Sequence, residues 1–397
     1  MDPVRNPFAP GAGNPPPELA GRSIILDQAK IAMQRVALGK SAQSLILVGL
    51  RGVGKTVLLV RLRSLAEAEG YKAALIEAHE GKSLPELLVP VLRSMLLSLS
   101  MVESSKDKAR RALRVLGSFV KGLKVTINDV EFGMTVDVET GAADSGDIEA
   151  DLPSLFSAVG EAARDANRPV ALLVDEMQYL SPKEFSAVIM AIHRISQEGL
   201  PLLMIGAGLP QILGLAGESK SYAERLFKYP SIGALSKTDA EKAIYAPLIK
   251  EGADIESAAL KEIMDKTERY PYFLQQWGHD CWNVAQNEKI TIMDVRVAHD
   301  LAIRTLDESF FKVRFDRCNP SEKRYMRALA EFGPGYHRSG DIADQLGVKT
   351  TTVGPTRGKL IKKGMIYSPA HGDTAFTVPL FDAYMRRAMP NYFDTSA

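Results

Sequence analysis

The chain has 397 residues, enough for two or three domains, and its 49 basic against 48 acidic side chains leave it nearly neutral. That balance excludes a chain whose net charge alone would select nucleic acid or a membrane surface, so any charged docking face has to be local. Two cysteines, Cys281 and Cys318, with no C-x-x-C, and six histidines at no ligand spacing exclude a disulfide scaffold and a structural zinc site and point to a reduced, cytoplasmic setting.

Residues 1–18 are rich in Pro, Gly and Asn and read as a flexible lead-in without an apolar leader core. Leu19-Ala20-Gly21-Arg22 then precedes a helix expected over about Ser23–Leu38. Leu45–Val48 reads as a buried parallel strand and Val57–Leu65 as the helix that follows. Between them Gly49, Leu50, Arg51, Gly52, Val53, Gly54, Lys55 and Thr56 fit G-x-x-x-x-G-K-[ST], the P-loop, in the required order of strand, loop and helix. The glycines let successive backbone N–H groups turn inward around a phosphate, and the helix start at Lys55, Thr56 and Val57 adds its partial positive charge. In such a loop Lys55 reaches the β- and γ-phosphates and Thr56 ligates Mg²⁺.

Lys72–Glu77 reads as a second strand and Leu84–Leu99 as an amphipathic helix. An insertion at about 101–150 follows. Its helix carries Lys106, Lys108, Arg110, Arg111 and Arg114, a solvated face or a contact for an acidic partner. Alternation around Asn128-Asp129 predicts a hairpin, and a helix is expected over about Leu152–Ala166. Val170–Val174 is an apolar strand ending in Asp175 and Glu176, the Walker B pattern: Asp175 to hold the water shell of Mg²⁺, Glu176 to polarise the attacking water. A helix at Ser186–Ile195 and a strand at Leu202–Gly206 continue the alternation, which predicts an α/β fold with a parallel sheet. Leu202–Ala216 is the longest apolar stretch and is broken by Pro210 and Gln211, so no membrane span is expected.

Ser236-Lys237-Thr238-Asp239 departs from the guanine-reading N-K-x-D at its first residue, and Thr238 with Glu241 reads as a capping box, which favours adenine. Ala240–Lys250, Ser257–Lys266 and Pro271–Ala285 read as a helical lid. A helix from Asn319 to about Phe332 and a helix-turn-helix over Arg338–Val353 follow, with Ala343, Gly347 and Val353 in the small, turn and apolar positions. Short strands near Tyr367-Ser368 and Ala375–Val378 and a helix over Leu380–Arg387 complete a winged helix. Within Lys349–Lys363 stand Lys349, Arg357, Lys359, Lys362 and Lys363 with no acidic residue. Gly354-Pro355 places the start of the recognition helix near Val353, with Thr352, Thr356, Lys359 and Lys363 on a face that could track duplex DNA phosphates.

Together these motifs resemble the AAA+ and STAND P-loop ATPases, in particular the origin-recognition-like, archaeal-type ATPases, from Leu19 onward. The resemblance implies an ATPase core at 19–235, a helical lid at 236–312 and a winged helix at 313–397. It implies ATP and Mg²⁺ as cofactors, and DNA, a homo-oligomer or a protein partner as target. It lays Gly21-Arg22 against the nucleotide base, with a plain helix start as the alternative. It makes Arg225 a finger for a neighbouring nucleotide, unless Arg225 pairs with Glu224 or Glu218, and puts Arg269 or Tyr270-Pro271 where the lid meets the nucleotide. The polar sensor that such proteins carry after this strand is missing at Gly206, Ala207 and Gly208, and a backbone N–H or Gln178 could take its place. Three classes stay open: an ATPase acting on DNA or a protein assembly, a nucleotide-gated switch with slow or no hydrolysis, and, least favoured, a small-molecule kinase.

Overall fold

A computed structural model describes the chain except residues 12, 126–137, 220–222, 371 and 392–397. The hairpin expected around Asn128-Asp129 lies outside the described residues. The described chain divides into two compact units, one of Arg22–Gly49 with Lys55–Ile232, the other of Met1–Gly21, Leu50–Gly54 and Gly233–Ala397.

The first unit is an α/β fold on a parallel sheet. Its elements run α1 (Ser23–Ala37), β1 (Ser44–Gly49), α2 (Lys55–Ala68), β2 (Lys72–Glu77), α3 (Leu84–Ser100), α4 (Lys106–Gly122), α5 (Ile148–Asp165), β3 (Val170–Asp175), α6 (Pro182–Glu198), β4 (Leu202–Gly208), α7 (Ile212–Ser219), α8 (Ala223–Leu226), β5 (Phe227–Lys228) and β6 (Ser231–Ile232). The strand order is β2-β3-β4-β1-β5, with β6 also against β1, and all of these pairs are parallel. The unbroken apolar runs of β1, β3 and β4 are buried throughout, as strands covered by helices on both faces must be. This order sets β4 between β1 and β3, so the P-loop strand and the Walker B strand end on either side of β4.

The expected insertion contributes to the main core. Ala109, Ala112, Val115, Leu116 and Phe119 of α4 are buried in the same cluster as α3, α5 and α6. The basic side of α4 faces carboxylates of its own unit: Lys108 meets Glu161 at 2.8 Å and Arg111 meets Glu139 at 2.9 Å. These exposed pairs make a solvated face.

The second unit holds α9 (Lys237–Lys250), β7 (Asp254–Ile255), α10 (Ser257–Thr267), α11 (Pro271–Val284), β8 (Lys289–Ile290), α12 (Ile292–Thr305), α13 (Lys312–Asp316), α14 (Pro320–Glu331), β9 (Tyr336–Arg338), α15 (Ser339–Gln345), α16 (Thr350–Lys362), β10 (Ile366–Tyr367), β11 (Asp373–Phe376) and α17 (Phe381–Ala388). The last seven elements form an antiparallel sheet of order β10-β11-β9 with four helices, the element order expected of a winged helix. Aromatic rings bind the unit internally. Tyr272 stacks on Phe310 with centroids 4.5 Å apart, and Phe311 lies between Phe273 and the α17 residues Phe381 and Tyr384.

Three local expectations are corrected. The start of the chain is packed: the Trp282 indole donates to the Asp2 carbonyl at 2.8 Å, and Phe8, 2% exposed, lies so close to Gly278 that a Cβ there would meet its ring at 2.7 Å. An aromatic residue beside a helical glycine outweighs the extended preference of the surrounding prolines. Helix α9 is capped by Ser236, whose hydroxyl accepts the Asp239 N–H at 3.1 Å, two residues earlier than a cap at Thr238. Helix α16 starts at Thr350 and runs through Pro355. The carbonyl that loses its partner, on Thr351, sits on an exposed stretch where water can serve it. Among the described residues no helix is long and apolar enough to cross a membrane.

Candidate nucleotide site

At the end of β1 the backbone turns through Gly52 and Gly54, with φ of +81° and +90°, a region that side chains with a Cβ rarely enter. Gly52 is fixed a second way, because a Cβ there would stand 3.1 Å from the Tyr270 ring and 3.3 Å from Tyr272 Cβ. Helix α2 begins at Lys55, so its first turn carries Lys55, Thr56 and Val57. Lys55 is buried, and its ammonium donates to the Gly49 carbonyl at 3.0 Å. Val53 is buried, while Leu50, Arg51 and Val57 are half-buried.

Two strands away, Asp175 is the last residue of β3 and 3% exposed. Its Oδ2 accepts the Thr56 hydroxyl at 2.5 Å and its Oδ1 accepts the Glu176 N–H at 2.8 Å. Burial pushes the Asp175 carboxyl above its ordinary value, and the Thr56 hydrogen bond only partly opposes this. A buried carboxylate beside a hydroxyl is a hard-oxygen donor pair that suits Mg²⁺, whose charge would offset the cost of keeping Asp175 ionised. Glu176 follows in the left-handed region at φ +53°, half-buried, at the head of a 3₁₀ turn over Met177–Tyr179. A non-glycine residue held there is a local strain of the kind found at working sites.

The residues expected to flank the site fall as follows. Tyr270 is buried at the start of α11, where Pro271 takes the first helical position, and its hydroxyl donates to the Arg51 carbonyl. Gly21 has φ +68°, and a Cβ there would meet the Asp239 carboxylate at 2.8 Å; Arg22 is buried just before α1. Arg225 stands exposed on α8, its backbone carbonyl held by Gln43 Nε2 at 2.9 Å. Gln178 sits beside Glu176, its Nε2 donating to the Glu176 carboxylate.

Other holders of the loop escape sequence reading. The Tyr272 N–H donates to the Gly52 carbonyl at 3.2 Å, the Arg51 N–H to the Thr377 carbonyl at 3.2 Å, and the Arg51 guanidinium to the Gly364 carbonyl at 3.3 Å. Carbonyl partners leave no trace in a sequence pattern. The only available signal was the Tyr-Pro-Tyr order around Pro271.

The basic stretch of α16 is partly consumed inside its own fold. Arg357 donates to Thr374 at 2.9 Å and to Ser368 and the Asp373 carbonyl at 2.7 Å. Lys363 meets Glu322 at 2.7 Å and the Arg317 carbonyl at 2.9 Å. Lys363, expected on a phosphate-tracking face, therefore closes a hydrogen-bonded pair with a buried carboxylate. Lys349, Lys359 and Lys362 remain exposed.

Residues 18–205 match the family described as AAA ATPase domain, and residues 308–385 match a domain of unknown function, DUF8462. No curated protein matches the chain. Among solved structures it is similar to the Orc1 protein of Aeropyrum pernix in complex with DNA, at 13% identity and TM-score 0.49 over 96% of each chain. It is also similar to Cdc6p of Pyrobaculum aerophilum, at 12% identity and TM-score 0.44 over 98% of each chain. The RuvB Holliday junction branch migration motor of Thermotoga maritima gives 13% identity and TM-score 0.44 over 90% of this chain and 92% of that one. What those proteins bind or drive is a property of theirs.

Proposed function

We propose, from the match of residues 18–205 to the AAA ATPase domain family, that the chain binds ATP with Mg²⁺ and hydrolyses it, coupling the cycle to a rearrangement that acts on DNA or on a protein assembly. The observation that carries the reading is the Thr56 hydroxyl on Asp175, with Lys55 one residue before the first and Glu176 one residue after the second. Thr56 and Asp175 would hold Mg²⁺, which supplies electrostatic stabilisation of the phosphate oxygens when bound. Lys55 would leave the Gly49 carbonyl for the β- and γ-phosphates, and Glu176 would orient and deprotonate the attacking water. Adenine is preferred because Ser236 caps α9 and no guanine-reading Asn stands there.

The test is equilibrium binding of MgATP together with single-turnover hydrolysis, for the parent, Lys55→Ala and Glu176→Gln. The reading requires affinity to fall in the first variant and hydrolysis alone to fall in the second. Parent-rate hydrolysis by Glu176→Gln would remove Glu176 as the base.

A second reading, a nucleotide-gated switch that turns over slowly, is favoured by the exit of β4, where Gly206, Ala207 and Gly208 supply no polar side chain. It separates from the first by the single-turnover rate with and without duplex DNA.

A further inference from the structure

The two glycines at the exit of β4 are explained by what fills the space beside them. A Cβ on Gly206 would lie 2.1 Å from Met177 Sδ, and a Cβ on Gly208 would lie 3.1 Å from Gln178 Oε1. The room in which a side chain of β4 would stand is taken by the turn that follows β3. Within that turn Tyr179 N–H bonds the Glu176 carbonyl at 3.0 Å and Leu180 N–H the Met177 carbonyl at 3.1 Å, which folds Gln178 back toward Glu176. The Gln178 amide then bridges two points. Its Oε1 accepts the Leu209 N–H at 3.0 Å, and its Nε2 donates to Glu176 Oε2. The orientation of the amide is dictated from both ends, since a backbone N–H can only donate and a carboxylate can only accept.

We infer that Gln178 is a positioning residue: it ties the Glu176 carboxylate to the exit of β4 and so fixes where the base stands relative to the bound phosphate. This rests on the reading of Glu176 as the base. One carboxylate oxygen is occupied by the amide and the other is left to take the proton from water. Glu176 sits in left-handed backbone at φ +53°, and the amide gives its side chain a fixed partner there. Displacement of a reacting group by about 1 Å costs on the order of 100-fold in rate, so loss of the tether is measurable without loss of binding.

The experiment uses the full chain with MgATP and compares Gln178→Leu, Gln178→Glu, Glu176→Gln and the two double variants. Gln178→Glu keeps the length and the acceptor for the Leu209 N–H but replaces the donor with a like charge. The expected result is a fall in kcat of about 10- to 100-fold in both Gln178 variants, with unchanged KM and MgATP affinity, and no further fall when either is combined with Glu176→Gln. If Gln178 only pins the turn to β4, Gln178→Glu will hydrolyse at the parent rate while Gln178→Leu loses thermal stability, and the inference is overturned. A fall that adds to that of Glu176→Gln overturns it as well. If instead Glu176→Gln itself hydrolyses at the parent rate, it is the assignment of the base that fails.

Discussion

The hydroxyl of Thr56, the last residue of the P-loop and in the first turn of α2, donates to Asp175 Oδ2 at 2.5 Å and joins the two halves of the nucleotide motif directly. Asp175 is buried, and burial holds its pKa above the ordinary 3.8. A raised native pKa means that the folded chain favours the protonated form. The associated stabilisation is therefore complete below the unfolded-state pKa and is lost as pH rises through the native one. Near neutral pH the ionised group costs stability. Asp175→Asn should raise the Tm of the nucleotide-free protein by roughly 2–4 °C at pH 7.5, with the gap to the parent closing toward acid pH. The same variant should lose Mg²⁺-dependent ATP affinity. Thermal scans across pH, with and without MgATP, check both halves.

Lys55 and Glu176 should separate cleanly in kinetics. Lys55 touches ground-state phosphate in the proposed cycle, so Lys55→Ala is expected to weaken ATP binding at least tenfold. Glu176→Gln should bind ATP like the parent and hydrolyse it on the order of 100-fold or more slowly. Isothermal titration beside single-turnover assays reads the two effects independently.

Arg225 is exposed on α8, where a second copy of the chain could use it. An arginine supplied in trans is worth about 10³ to 10⁵ in rate in other P-loop systems. Specific ATPase activity should therefore rise with protein concentration, and Arg225→Ala should abolish the rise without changing ATP affinity. Activity that stays flat across the assembly range removes the proposed finger.

Lys349, just before α16, and Lys359 and Lys362 on it stand exposed, and the proposed contact with DNA would use them. Three phosphate contacts give a log–log salt slope of about −2.7. Lys359→Glu with Lys362→Glu should flatten that slope and cost less stability than loss of Lys363, since Lys359 acts on Glu322 only through its charge. Lys363→Ala should instead destabilise the fold by roughly 1.5–3 kcal/mol, because it leaves Glu322 without its charged partner. Burial alone would raise the Glu322 pKa, but Lys363 and the Asn319 N–H outweigh it and hold it below 4.5. For a depressed pKa the stability is present above the unfolded value and lost as pH falls through the native one, so the Lys363→Ala effect should vanish in strong acid.

Phe8 against Gly278 predicts that the beginning of the chain is part of the second unit's stability. Phe8→Ala should cost about 3–5 kcal/mol by emptying a buried site. Gly278→Val should displace the ring by overpacking. Protection of the Trp282 indole from solvent, read by fluorescence, reports both variants.

Wherever a pattern is local, the amino-acid order was sufficient to place its elements. A phosphate cradle needs glycines, a lysine and a hydroxyl within eight consecutive residues, and an apolar strand that ends in two carboxylates announces itself, so Gly49–Thr56 and Asp175-Glu176 were legible, as were the strands that carry them. Element boundaries set by caps were less so, because Ser236 and Thr238 are chemically equivalent until the backbone selects one. Tertiary structure alone decided which charges stay available. Lys363 and Lys362 are neighbours of the same type in a basic run, yet one reaches a buried carboxylate and the other faces water, a difference fixed by Glu322 of α14, 41 residues earlier. The same holds at β4, where Gly206 and Gly208 read as a missing polar side chain. Only the sheet order, with β4 beside β3, brings Gln178 from another strand's exit into that space, and no pattern within one segment encodes a hydrogen bond between the exits of two.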